Sequence, residues 1–341
     1  MKIVITGGAG FIGSNASRYF LDSGHSVFVI DNLSRMGSKK NLDWLNTFPQ
    51  KPIFIFGDIR RETDLDKCRK YIESADAILH LAGQVAVTRS VANPREDFES
   101  NTAGTLNVLE CMRLTQSNAK LIYASTNKVY GDLSDVKITE KESRYTYRDN
   151  PFGISEYQKL DFHSPYGCSK GAADQYVHDY SRIYDQDTVV FRQSCIYGPR
   201  QFGIEDQGWV AWFMIAILLG ESLTIYGNGK QVRDILYIDD LIAAFDLVIK
   251  KRRESKGKIY NIGGGPLNSI SVWAEFGQFL EKIFSRNIKI KYTNWRPGDQ
   301  PVYISDIRKA KQELGWEPKI TVESGLTKLY QWISNHGKLF T

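Results

Sequence analysis

Short runs of β-branched and aromatic residues recur through the first half of the chain: KIVIT from Lys2, SVFVID from Ser26, PIFIFGD from Pro52, DAILHLAG from Asp76, KLIYAS from Lys120 and TVVFR from Thr188. Each is apolar on both faces, as a strand covered from both sides must be, and longer stretches of helical periodicity separate them. That alternation predicts parallel strands joined by crossover helices, an α/β doubly wound parallel sheet. Beyond Arg192 the rhythm breaks. The loops YGPRQFG, YGNGKQVRD, IGGGP and WRPGDQP separate isolated helices and short strands there. The pattern predicts a larger domain over 1–192 with a return segment near 228–257, and a smaller, discontinuous C-terminal domain from 193–227 and 258–341. The longest apolar run, WVAWFMIAILL from Trp209 to Leu219, is too short for a membrane span and reads as a buried helix. The start MKIVITGG enters a strand directly, without an apolar leader, so a cytoplasmic protein with no membrane partner is expected.

Composition narrows the partners. The 341 residues carry 44 Lys plus Arg against 39 Asp plus Glu, a formal charge of +5 spread along the chain. Nucleic-acid binding calls for a dense basic patch, whereas this mild excess suits a small anionic ligand. The basic run Lys250–Lys258 joins a helical pattern to a strand and reads as a solvated connecting loop. Four cysteines and five histidines lie scattered without metal-ligand spacing, so no metal and no disulfide is expected.

GGAGFIGS follows the first strand and sets Gly7, Gly10 and Gly13 at a strand-to-helix turn, with Phe11 and Ile12 opening the helix. Such a turn brings backbone N–H groups and a helix N-terminus up to a pyrophosphate, the Rossmann arrangement; a tight, closely packed turn is the plain alternative. Asp31, eighteen residues after Gly13, ends the second strand, where a carboxylate accepts from a ribose 2′-hydroxyl and repels a 2′-phosphate. NAD is favoured over NADP, although Arg35, close to Asn32 and Ser34, is able to pair with a phosphate. Asp58 and Ile59 of GDIR follow the third strand, facing the adenine or capping a helix. Leu81, Ala82, Gly83 and Gln84 close the fourth with small residues suited to lie along a dinucleotide, while His80 reads as a packed strand residue.

SPYGCSKGAADQY places Tyr166 and Lys170 four residues apart, on one helix face. An ammonium near a phenol favours phenolate, and a nicotinamide cation adds to the effect, which would let Tyr166 act as a base. With TGGAGFIGS, DN, GDIR, HLAG, Asn101, ASTNKVYG, YGCSK, YGPR, VRD and RPGD, the chain resembles, over nearly its whole length, the extended short-chain dehydrogenase/reductase family, specifically its nucleotide-sugar epimerases and dehydratases. The resemblance implies Thr126 as third catalytic residue, hydrogen-bonding the oxygen whose proton Tyr166 takes, with Lys170 on the cofactor ribose and Asn101 and Ser125 beside the cofactor. Hydride would pass to NAD and return.

In 4,6-dehydratases of that family an Asp–Glu pair follows the threonine; Asn127 and Lys128 stand here, which disfavours dehydration. Lys128 then meets the sugar or stays solvated. The resemblance implies a CDP-linked dideoxyhexose inverted at C2, with a UDP-sugar 4-epimerase as the alternative and a non-catalytic NAD-binding scaffold as a third reading. Arg233 and Arg296 would clamp the diphosphate. Arg200, Gln201, Gln207, Gly208 and Trp209 would surround the nucleotide and Gln84 the sugar, with Cys195 where many members carry Asn. A homodimer or homotetramer through helices beginning near Asn101 and Ser169 is likewise implied.

Overall fold

The protein is represented by a computed structural model that describes residues 1–296 and 298–340; Pro297 and Thr341, within the stretch assigned from sequence to the second domain, lie outside the described residues. A seven-stranded sheet forms the centre, ordered Lys258–Ile262, Thr188–Gln193, Lys120–Thr126, Ala77–His80, Lys2–Thr6, Ser26–Asp31, Ile53–Phe56. Every pairing in it is parallel. Alternation along the strands fills a core on each face. Ile3, Ile5, Ile122 and Phe191 join the helices Phe11–Asp22 and Ile238–Lys250 on one side. Val4, Leu121, Tyr123 and Val190 meet Glu62–Glu73, Gly104–Leu114 and Ser164–Tyr184 on the other.

The strand order reverses between Lys2–Thr6 and Ala77–His80, so the loops after these two strands open a crevice at the carboxyl edge. Those loops abut: a Cβ on Gly7, whose φ is +70°, would lie 2.7 Å from the Ala82 backbone nitrogen. Only glycine both adopts that left-handed turn and allows this approach.

Two sequence assignments are corrected. Lys258–Ile262, placed with the second domain, is the edge strand of the main sheet, in register with Thr188–Gln193. Tyr260 and Ile262 are fully buried, so the strand closes the core beneath the helix Ile238–Lys250 that leads to it. The basic run is also no free loop: Arg252–Ser255 forms a helical turn, Arg252 pairs with Asp187 at 2.7 Å and Lys256 with Asp185 at 2.5 Å.

The remaining residues build a smaller layer beside the crevice. A third assignment is corrected here: Val232–Tyr237, placed from sequence in the return segment of the larger domain, pairs outside the main sheet with Cys195–Tyr197, Ser269–Ser271 and Val302–Tyr303, so the chain returns to the larger domain only with the helix Ile238–Lys250. The helix Trp209–Leu219 is buried along most of its length, as its continuous apolar run requires. Among the described residues no helix is long and apolar enough to cross a membrane.

Candidate active site

Tyr166 and Lys170 lie in the first turns of the 21-residue helix Ser164–Tyr184, where Pro165 suits the helix start. Thr126 ends the strand Lys120–Thr126 opposite them, and all three are buried, at 8%, 6% and 7% exposure. The Tyr166 hydroxyl faces the Thr126 side chain, close enough for it to favour the phenolate. Lys170 Nζ donates to the Ala124 carbonyl at 2.6 Å and lies 4.2 Å from the Tyr123 ring centroid. The sequence therefore brings the expected triad together by two routes: a four-residue helical spacing, and the end of a central strand facing that helix.

The protonation state of the chain alone is set by burial more than by the neighbouring lysine. Burial pushes the Tyr166 phenol up to about 12; Thr126 lowers it, Asp97 raises it and Arg35 lowers it. Burial brings the Lys170 ammonium down to about 7, against the pull of Asp174 and Asp97. Desolvation outweighs the nearby charges, so the chain's own groups keep Tyr166 neutral at pH 7. Converting it to a base needs positive charge from what binds beside it. His80 is a packed residue, between Thr6 Oγ1 at 2.7 Å and Thr105 Oγ1 at 3.0 Å, and burial lowers it to about 3.

The glycine turn fits a dinucleotide, with its three glycines doing different things. Gly7 and Gly13 serve close packing; a Cβ on Gly13 would fall 2.3 Å from the Gly7 carbonyl oxygen. Gly10 is the open one. A Cβ there would meet only Gly7 O, at 3.1 Å, and Gly10 begins the helix whose first N–H groups, on Phe11, Ile12 and Gly13, lack intrahelical acceptors. Asp31 accepts from the Ala9 and Leu33 amides at 3.0 and 2.8 Å, which fixes the carboxylate at the strand end. Burial lifts its carboxyl above the usual range.

Several residues expected at the cofactor are engaged elsewhere. Asn32 Oδ1 accepts from the Ser34 amide at 3.0 Å, and its Nδ2 donates to Asp58 at 3.0 Å. Asp58 is clasped by Arg60 at 2.6 Å; burial raises its carboxyl, and the Arg60 and Asn32 bonds carry it down to about 2. Ile59 packs against Gly104, where a Cβ would meet it at 2.7 Å. Ser125 points into the fold, donating to Asp174 at 2.7 Å, because strand alternation turns it away from Thr126. Asn101 accepts from the Gln84 amide at 2.9 Å and donates to Ser169 at 3.0 Å, so it braces the loop Leu81–Gln84. Gln84, expected at the sugar, directs its side chain to Ala86 O and Asp97, each at 2.8 Å. Arg35 reaches instead across to Gln207 Oε1.

On the facing layer, Lys128, Cys195 and Arg233 converge. Arg233 Nη2 donates to Asp299 Oδ1 at 2.6 Å, and Lys128 Nζ lies 3.8 Å from the same oxygen and 3.4 Å from Gly298 O. Burial lowers the Lys128 ammonium and raises the Cys195 thiol, the latter drawn back by Arg233 and the Trp209 indole. Trp209 Nε1 is buried without an oxygen or nitrogen acceptor and faces that weakly accepting sulfur. Gly208, with φ +78°, caps the helix Trp209 opens. Arg296 lies 3.8 Å over the Tyr226 ring and 3.4 Å from Asp206, and its charge also acts on Asp299.

Arg200 and Gln201 correct the sequence reading. Arg200 has φ +68°, which turns its side chain to stack 4.4 Å over Trp44 and 5.8 Å from Trp332, where burial lowers the guanidinium to about 10. Gln201 is buried in its own loop, donating to Ile196 O at 3.2 Å. Two site residues went unread. Asp299, the D of RPGD, joins Lys128 and Arg233. Gln193 sits in register with Thr126 at the carboxyl edge, its Nε2 buried without a partner. Among the described residues Asp132, Asp161 and His163 alone group closely enough to share a metal ion, and the three are partly or fully solvent-exposed.

The glycine turn, the strand-ending aspartate and the Thr–Tyr–Lys grouping coincide with a family match. Residues 4–329 match the family described as GDP-mannose 4,6 dehydratase. The chain belongs to this family, among the epimerases and dehydratases of short-chain dehydrogenase/reductase type. One relative, CDP-paratose 2-epimerase of Salmonella typhi, is 47% identical over 98% of this chain and 100% of its own length. UDP-glucose 4-epimerase of Thermotoga maritima, solved with UDP-glucose, shares 30% identity and a TM-score of 0.83 over 98% and 99% of the two chains. UDP-glucuronic acid 4-epimerase of Bacillus cereus, solved with UDP-glucuronic acid and NAD, shares 28% identity and a TM-score of 0.83 over 98% and 99%. The family fold thus runs the full length of the chain.

Proposed function

We propose that the protein is an NAD-dependent nucleotide-sugar epimerase that interconverts CDP-paratose and CDP-tyvelose by inversion at sugar C2. The observation that carries this reading is the 47% identity to CDP-paratose 2-epimerase across the full length of both chains. The site agrees with it: after Thr126 come Asn127 and Lys128, neither of which supplies the carboxylic acid that expelling water from the sugar would use.

NAD would be held by the open turn at Gly10, the helix N-terminus after it, Asp31 and the loop Leu81–Gly83, and it supplies a hydride acceptor together with a positive charge. The remaining chemistry belongs to the chain. Tyr166 takes the hydroxyl proton, Thr126 shares a hydrogen bond with the same oxygen, and Lys170 orients the pair from beneath. Arg233 and Arg296 bind the diphosphate, and Lys128 and Cys195 face the sugar. Proton transfer by a placed side chain is worth ~10²–10⁴ in rate, and orientation of the anchored substrate supplies much of the rest.

The crevice divides the work along the chain: the sheet takes the cofactor and the smaller layer the nucleotide sugar. Exposed Phe98, Tyr176, Ile183 and Tyr184 on the helices flanking the site support a homodimer or higher homo-oligomer. The cytoplasm, where nucleotide sugars are made, is the proposed location.

The test is a substrate panel. Purified protein is given CDP-paratose, a UDP-hexose, a GDP-hexose and a dTDP-hexose separately, and each mixture is followed by proton NMR. Inversion at C2 of the CDP sugar is expected. Inversion only at C4 of a UDP sugar would replace this reading with the second one, which the likeness to the UDP-sugar 4-epimerases supports.

A further inference from the structure

Asp97 is 1% exposed in the short helix Pro94–Phe98, and no role falls to it in the reading above. Three side-chain donors converge on its carboxylate: Ser169 Oγ at 2.5 Å, Gln84 Nε2 at 2.8 Å and Asn101 Nδ2 at 3.2 Å. Ser169 lies between Tyr166 and Lys170 on their helix, and its hydroxyl also reaches Tyr166 O at 3.2 Å. Beside it, Ser90 accepts from the Tyr166 amide and Thr102 donates to Ser169 O. Among the described residues no lysine or arginine hydrogen-bonds Asp97; burial raises its carboxyl, while the Ser169 and Gln84 bonds and the Lys170 charge favour its ionised form.

Two carboxylates support the Lys170 ammonium, Asp174 and then Asp97, and they differ in how they are held. Asp174, one turn along the same helix, is neutralised by Arg192 from the strand Thr188–Gln193, at 3.0 and 2.9 Å. His80 on Ala77–His80 is neutral, Tyr123 on Lys120–Thr126 offers a ring, and Arg35, from the loop after the second strand, faces Tyr166. Glu96, next to Asp97, faces Arg89.

We infer that Asp97 is a positioning residue for the reaction: the anchor that fixes the helical turn carrying Tyr166 and Lys170, and a buried counter-charge that, with Asp174, keeps Lys170 protonated. The electrostatics run the same way, since Asp97 supports the Lys170 ammonium and opposes ionisation of Tyr166. The device holds the proton on the lysine until positive charge arrives beside the phenol. This role deepens the epimerase reading and rests on it for its kinetic readout alone.

Asp97→Asn is the direct perturbation. The amide keeps an oxygen for Gln84 and Asn101 and offers an N–H to Ser169, so chiefly the charge is lost. In holoenzyme labelled with ¹³C at lysine Cε, the Lys170 resonance is assigned by its loss in Lys170→Met and titrated from about pH 5 to 10. In Asp97→Asn its midpoint should fall by about one unit, the scale of one lost opposite charge nearby. The basic limb of the kcat/KM profile should move with it, kcat falling while KM for the nucleotide sugar stays within about twofold. If Asp97→Asn does not fold, Ser169→Ala, which weakens the carboxylate's anchoring, should shift Lys170 in the same direction by less. An unmoved Lys170 titration in either folded variant overturns the inference. The titration uses no substrate, so it stands apart from the epimerase reading, whose own failure would appear as wild-type protein inert toward CDP-paratose.

Discussion

Tyr166→Phe removes one oxygen and separates chemistry from folding. The phenol hydroxyl faces Thr126, while the Tyr166 amide is held separately by Ser90 at 3.1 Å, so the helix start keeps its anchor. Thr126 Oγ1 keeps Asn127 Oδ1 and the Lys128 amide, both at 3.3 Å. Even the loss of a full hydrogen bond there would cost only about 1 kcal/mol. For a chain of this length, that moves the melting temperature by roughly 1–2 °C. Losing the proton acceptor instead removes ~10²–10⁴ in turnover, about 2.7–5.5 kcal/mol of transition-state stabilisation. The assay pairs NMR-monitored conversion of CDP-paratose with thermal unfolding and the NAD released on denaturation. The expected result is kcat down at least a hundredfold, with melting temperature and bound NAD nearly unchanged; Thr126→Val should be milder. A kcat within threefold of wild type would refute the assignment of Tyr166 as the base.

Lys170→Met tests the buried ammonium through stability. With its folded value near 7 and its unfolded value at 10.5, the lysine destabilises the folded chain fully below about pH 7, and the penalty shrinks as pH rises toward 10.5. The variant should therefore gain more melting temperature over wild type at pH 6.5 than at pH 9.5, measured in cofactor-stripped protein; a pH-independent difference would contradict the burial argument. Gly13→Ala forces a Cβ to within 2.3 Å of the Gly7 carbonyl oxygen and should destabilise by about 1–3 kcal/mol and lower the NAD retained on purification. Gly24→Ala, at φ +79° with open space around it, is the control: strained by about 1 kcal/mol but with NAD retained. Equal NAD content in the two variants would remove the glycine turn from the cofactor site.

What the sequence revealed, and what it hid, follows from the range of each interaction. The turn GGAGFIGS, the strand-ending Asp31 and the pair Tyr166–Lys170 are local: their geometry is set within a few residues, and spacing displays it. The edge strand Lys258–Ile262 is not local, since its partner Thr188–Gln193 lies beyond the whole of the Cys195–Tyr237 segment, and only the assembled sheet shows the pairing. Asp97 was hidden for a related reason. In NPRED it reads as an exposed acidic residue of a first helical turn, and its burial comes from the helix Ser164–Tyr184 packing over it. Arg200 was misplaced because a single left-handed backbone angle decides which way its side chain leaves the loop. For the Tyr166 phenol, four-residue spacing reports a nearby ammonium but says nothing of desolvation, which is the larger effect in the chain without its cofactor.

The central claim is that C2 is inverted by removing and returning its own hydrogen while the diphosphate stays on the protein. CDP-paratose carrying deuterium at C2 should give CDP-tyvelose that keeps the label, and unlabelled substrate converted in D2O should gain none there, both read by NMR and mass spectrometry. Solvent deuterium appearing at C2 of the product would contradict the account, because that hydrogen would then have left as a proton.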